Sequence, residues 1–222
     1  MRSTSFTIDV AGEAISATFD AGAAGAAPTL ILAHGAGGHM RDRSMQSLMG
    51  ELCRRGIHVV RFNFPYREQK RGRPDSMPLL MDAIAAVASR ARGELQASSW
   101  LLGGRSMGGR AASMLVADGF ACNGLLLFAY PLHPAGKPEK LRDAHLVRIA
   151  SPVLCFNGTR DPLCRRDLMD KVVSSLWHRR WQMHWLQGAD HSFHVLKSSG
   201  RTDAEVLEEV GMTTRTWAEG LE

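Results

Sequence analysis

Short uninterrupted runs of Leu, Ile, Val and Phe recur along the chain, each followed by a segment whose apolar residues return every three or four positions. Residues 29–33, 57–62, 100–102, 125–130 and 152–156 are runs of strand length with no polar alternation, the pattern of strands buried on both faces. Between them, Met45, Leu48, Met49, Leu52 and Cys53 fall at i, i+3, i+4, i+7 and i+8, which predicts an amphipathic helix over 43–55. Leu80, Ile84, Val87 and Ala91 mark another over 77–91, with further helices expected over 107–118 and 165–177 and a last strand over 181–186. Strands needing cover on both sides, and helices able to supply it, imply an α/β fold built on a mostly parallel, doubly wound sheet.

Local signals set the punctuation. Phe6, Ile8 and Val10, then Ile15, Ala17 and Phe19, flank Gly12 and predict an N-terminal antiparallel hairpin. Residues 21–27 are small and read as a linking loop. Gly56 is placed where a helix end needs a left-handed residue, and Ser76 stands at a capping position. Thr202 and Glu205 match a capping box and open a final helix to about residue 217. The length of 222 residues is expected to form one domain over 1–222.

Composition excludes several classes. The longest apolar run, 125–130, is far below the roughly 18–20 residues of a membrane-spanning helix. Asp9 and Glu13 interrupt any secretory apolar region, so a cytoplasmic protein without a membrane partner is expected. Cys53, Cys122, Cys155 and Cys164 form no paired spacing, so neither a metal site nor a disulfide framework is indicated. The net charge of +5 is uneven, with nine Lys/Arg against three acids between Arg41 and Arg73. No nucleic-acid-binding motif accompanies that excess, and no nucleic-acid partner is expected.

In open α/β sheets ligands bind beyond the carboxyl ends of the strands. The run 100–102 leads into Gly103-Gly104-Arg105-Ser106-Met107-Gly108 and then a helix, a G-x-S-x-G pattern in strand-turn-helix context. Such a turn lifts a serine hydroxyl above the sheet, and flanking glycines avoid collisions with neighbouring backbone. An activated serine also needs a base and an orienting acid, which in this topology follow in the order acid, then histidine. Asp161 lies just after the strand over 152–156, and His191 just after that over 181–186. Asp190 and His194 are the nearest competitors for these roles. Met107, following the nucleophile, and Ala36 in His34-Gly35-Ala36-Gly37-Gly38 are the expected oxyanion donors, with Gly35 or Gly37 as substitutes; His34 is expected to hold that loop. No metal or organic cofactor is needed for this chemistry.

These blocks, together with Arg61-Phe62-Asn63-Phe64-Pro65-Tyr66 and Tyr130-Pro131-Leu132-His133-Pro134, resemble the α/β-hydrolase superfamily. More narrowly, they are similar to the hydrolase-like family that includes a regulatory subunit of the human NSL chromatin complex, testis-expressed homologues and short bacterial proteins. The resemblance spans about residues 29–210 and implies Ser106, Asp161 and His191 as the triad. Arg105 stands where many relatives carry Lys. The chromatin-associated members look more like scaffolds than enzymes, so the resemblance leaves a binding protein as an alternative to a hydrolase. An acyltransferase is a further one.

Only residues 132–151 separate two consecutive strands where many such hydrolases insert a lid, so little or no lid and a small or solvent-reachable acyl substrate are expected. Arg67, Lys70, Arg71 and Arg73, with His133, Lys137 and Lys197, are candidates to surround the mouth with positive charge, and Arg67, Arg71, His133 and Lys137 are the expected substrate contacts. A carboxylated ester would suit such a mouth. The sequence leaves the oligomeric state open.

Overall fold

The computed structural model describes residues 2–176 and 180–221. Its chain order is β1 (Ser3–Val10), β2 (Glu13–Asp20), β3 (Ala27–Ala33), α1 (Arg43–Arg54), β4 (His58–Phe62), α2 (Pro65–Glu68), α3 (Met77–Glu94) and β5 (Ala97–Arg105). Then follow α4 (Met107–Ala117), β6 (Gly124–Phe128), β7 (Val153–Gly158), α5 (Arg166–Ser175), β8 (Trp181–Leu186) and α6 (Asp203–Glu219). The eight strands form one sheet in the order β1-β2-β4-β3-β5-β6-β7-β8. β1 and β2 form an antiparallel hairpin and β2 runs antiparallel to β4, while all pairs from β4 to β8 are parallel. This is the doubly wound α/β-hydrolase fold.

The absence of alternation in the apolar runs has its cause in two cores. Ile31, Val60, Leu102, Leu125 and Cys155 pack on one face beneath α3, α4 and α5. Their neighbours Leu30, Val59, Leu101, Leu126 and Leu154 pack on the other beneath α1 and α6. Successive strand side chains point to opposite faces, so both neighbours must be apolar. At about 1.5–3 kcal/mol for each large aliphatic side chain buried, these two layers dominate the stabilisation.

Turn chemistry places the element ends. Ala11 and Gly12 have φ of 54° and 83°, the left-handed pair of a tight hairpin, and Gly56 has φ of 81° after α1. The Thr202–Glu205 capping box is formed, whereas Ser76 occupies its cap position without a side-chain hydrogen bond. β5 runs on to Arg105, three residues past the apolar run, because Gly103 and Gly104 pair with β3 and β6. β6 stops at Phe128 rather than at residue 130, since Ala129 turns to φ of 55° and the Asn157 side chain holds the backbone of Tyr130. The cation-rich segment after β4 contains α2, and the expected end of α5 at Trp177 lies outside the described residues.

Residues 131–151 fold back onto the body instead of forming a lid. Leu132, Leu146 and Ile149 join the core, and the Tyr130 hydroxyl donates to the Arg142 carbonyl. None of the described helices is long and apolar enough to cross a membrane.

Candidate active site

β5 and α4 meet at Ser106, whose φ of 51° and ψ of −115° lie outside the regions that L-residues favour. The sequence permits this turn because glycine surrounds it. A Cβ on Gly104 would sit 2.6 Å from the Gly108 carbonyl carbon, and one on Gly108 would sit 2.5 Å from the His34 carbonyl oxygen. The Ser106 N–H donates to the Phe128 carbonyl at 2.8 Å, tying the turn to the neighbouring strand.

The loops after β7 and β8 converge on that serine. Gly158 makes the approach possible, since a Cβ there would lie 2.1 Å from the Ala189 carbonyl oxygen. His191 Nε2 lies 2.9 Å from Ser106 Oγ, and His191 Nδ1 lies 2.8 Å from Asp161 Oδ2. The Asp161 side chain is fully buried and also accepts from the Leu163 N–H at 2.8 Å and the Asn157 amide at 3.0 Å. A carboxylate beside Nδ1 makes that nitrogen the donor, which leaves Nε2 free to accept the serine proton. The His191 side chain keeps 24% of its surface exposed, so the proton-accepting edge is reachable from solvent. Chemically, such a chain can deprotonate the serine and stabilise the imidazolium that results.

Above the serine lies the loop after β3. Gly37 has φ of 72°, and the Gly38 N–H closes a turn onto the Gly35 carbonyl. His34 is fully buried, with Nδ1 2.8 Å from the Gly35 carbonyl oxygen and Nε2 accepting from the Phe64 N–H at 3.2 Å. Burial lowers its pKa to about 4, so it stays neutral and holds the loop. Gly35 and Ala36 line a cavity of about 250 Å³ together with Ser106, His191 and Arg105. Met107 opens α4, where a first-turn N–H has no acceptor within the helix.

A family profile described as an alpha/beta hydrolase domain matches residues 26–219. The chain belongs to the alpha/beta-hydrolase family. Solved structures are similar over nearly the whole fold. An alpha-beta serine hydrolase homologue from Coxiella burnetii is 23% identical, with a TM-score of 0.76 over 95% of this chain and 96% of that one. An α/β serine hydrolase without a lid from Xanthomonas campestris is 22% identical, with a TM-score of 0.74 over 97% and 94%. A putative α/β hydrolase from Agrobacterium tumefaciens is 19% identical, with a TM-score of 0.78 over 98% and 97%.

Within this α/β-hydrolase chain the expected competitors are occupied elsewhere. Asp190 Oδ1 accepts from the Ser192 and His194 N–H groups, and His194 pairs with Asp203 at 3.0 Å. The four expected substrate contacts lie apart from the cavity at Ser106. His133 is buried, with Nδ1 3.0 Å from the Pro134 carbonyl oxygen and Nε2 accepting from the Arg165 N–H, so it offers no free nitrogen. Arg71 pairs with Asp75 at 2.6 Å, and the Arg67 guanidinium lies over the Tyr66 ring and reaches the Arg71 carbonyl. Lys137 is exposed on a turn. None of these four lines the cavity at Ser106.

Two residues at the site escaped the sequence reasoning. Asn157 clamps Asp161 while exchanging hydrogen bonds with both backbone groups of Tyr130; a polar residue ending an apolar strand was the available signal. Arg105, noticed in the sequence only as a departure from Lys, lines the cavity and donates to the His191 carbonyl at 3.0 Å. The cysteines are all free, and burial pushes the Cys53 thiol up to about 12 and raises the other three, which removes them as nucleophiles at neutral pH.

Proposed function

We propose that the chain is a serine hydrolase that cleaves small or solvent-accessible carboxylic esters, with thioesters and lactones open to the same parts. The continuous hydrogen-bond chain from Ser106 through His191 to the buried Asp161 carries this reading. Ser106 Oγ attacks the ester carbonyl as His191 Nε2 takes its proton. The N–H groups of Met107 and Ala36 hold the oxyanion, with Gly35 or Gly37 as substitute donors. The tetrahedral species collapses, His191 returns the proton to the departing alkoxide, and the acyl group remains on Ser106. Water then adds with its proton passing to His191, the carboxylic acid leaves, and Ser106 is re-protonated. Asp161 keeps His191 in the required tautomer and stabilises its charged form. The cavity of about 250 Å³ and the lidless 131–151 segment support a short acyl or alcohol portion over a long lipid chain.

Fluorophosphonate labelling read by intact mass, on wild type and a folded Ser106→Ala variant, tests the reading together with short-chain ester turnover. One adduct on wild type alone, and loss of turnover in the variant, is expected. A folded wild type that neither labels nor hydrolyses would overturn it in favour of a hydrolase-like scaffold, the role suggested by the resemblance to chromatin-associated proteins.

A further inference from the structure

A second cavity adjoins the one at Ser106. Ser44, Arg105 and Ser192 line both, and the second, of about 520 Å³, lies between the start of α1, at Arg43 and Ser47, and the start of α6, at Asp203 and Leu207. Arg105 therefore stands at the junction between the reacting serine and a groove large enough for the remainder of a small substrate.

Among the described residues no carboxylate forms an ion pair with the guanidinium at that junction. Its one side-chain hydrogen bond among the described residues goes to a neutral acceptor, the His191 carbonyl, and its carbon lies 5.4 Å from the centre of the buried Phe193 ring. Three carboxylates exert a field on it, yet each is engaged by other donors. Asp190 accepts from the Ser192 and His194 N–H groups, Asp161 from Leu163, Asn157 and His191, and Asp42 from the His39 N–H at 2.7 Å. Burial draws the Arg105 pKa down, but a guanidinium remains charged at neutral pH. The residue is half-buried and lines both cavities, and a planar fork with unused donors matches a carboxylate in two-point geometry. Arg43 adds positive charge on the α1 side of the groove, whereas Asp203 on the α6 side is held by His194 and the Val195 N–H. The position for an anion is thus at the Arg105 end.

We propose that Arg105 and the groove it opens form a carboxylate subsite, so that the preferred substrates are esters bearing a carboxylate a few bonds from the scissile carbonyl. This rests on the serine-hydrolase reading for the reaction but not for the binding. It moves anion recognition from the outlying Arg67, Arg71, His133 and Lys137 to the residue preceding the nucleophile.

Binding in the Ser106→Ala background separates the two. By titration calorimetry, monoethyl succinate is expected to bind at least about ten-fold more tightly than diethyl succinate, with the preference shrinking as salt rises and vanishing on Arg105→Gln. Equal affinities, or a preference that survives Arg105→Gln, would overturn the subsite. In the active protein the same substitution should reduce the monoester-to-diester ratio of kcat/KM by about 10- to 100-fold. If Arg105 merely positions His191, both esters slow together and the ratio stays fixed, which also overturns it. Preferential monoester binding without turnover of either ester would sink the hydrolase and leave the subsite standing.

Discussion

Arg61 on β4 and Arg105 at the end of β5 lie on the two strands that flank β3; Arg61 is buried and Arg105 half-buried, and their surroundings differ. Arg61 is bound by Asp20 through Nε at 2.7 Å and Nη2 at 3.3 Å, and its Nη1 donates to the Met40 carbonyl at 2.7 Å. Ser3 donates to the same carboxylate from β1, so this flank is closed and its charge neutralised. Arg105 has one neutral acceptor and an aromatic face. The buried charge that serves the fold completes its partners within the chain. The half-buried one that faces a cavity keeps donors unused, and the difference separates scaffold from site more sharply than net positive charge does.

The largest effect should fall on the open side with little cost to the fold. Ser106→Ala is expected to lower kcat by about 10⁵- to 10⁶-fold while leaving the urea midpoint nearly unchanged. A variant that unfolds early would show that the turn at Ser106 depends on its hydroxyl.

On the closed side, Asp20→Asn strands the Arg61 charge and should cost about 3–5 kcal/mol in urea unfolding. A loss below about 1 kcal/mol would mean that water reaches Arg61, and the contrast with Arg105 would fail.

The pH dependence of stability extends the comparison to the loop held by His34. Its folded pKa near 4 lies below the ordinary 6.5, so between these values the unfolded chain binds more protons. Stability therefore falls as pH drops through that window, by about 2 kcal/mol from this residue at pH 5. Urea unfolding of wild type and His34→Gln at pH 7 and pH 5 should show a shallower loss in the variant. His145, lowered to about 4 by burial and by Arg110, supplies a slope that remains.

The smallest effect is expected for Arg105→Gln, which gives up one hydrogen bond at a half-buried position. Its unfolding free energy should stay within about 1 kcal/mol of wild type. A loss as large as that of Asp20→Asn would make Arg105 a structural group like Arg61.

Much of the site was legible before folding. Ser106, Asp161 and His191 each follow an apolar strand, and that placement alone puts them at one sheet edge. The chain order fits an acyl-transfer triad, and the distances then bring the three side chains into contact. Asn157 was obscured because a polar residue ending an apolar strand marks its own position but not the distant loop that it will hold. Charge counting does not register partners: Arg71 has Asp75 four residues away, and His133 has the backbone of a distant loop.

By itself the sequence determined the α/β alternation, the hairpin, the capping box and the glycines that surround Ser106. Periodicity, caps and the freedom of glycine are properties of neighbouring residues. Tertiary structure alone decided which cations were neutralised, that β5 runs on to Arg105, and that a second cavity between α1 and α6 adjoins the one at Ser106. Those outcomes depend on groups far apart in the chain, and a charge is neutralised or left available only by what packing brings beside it.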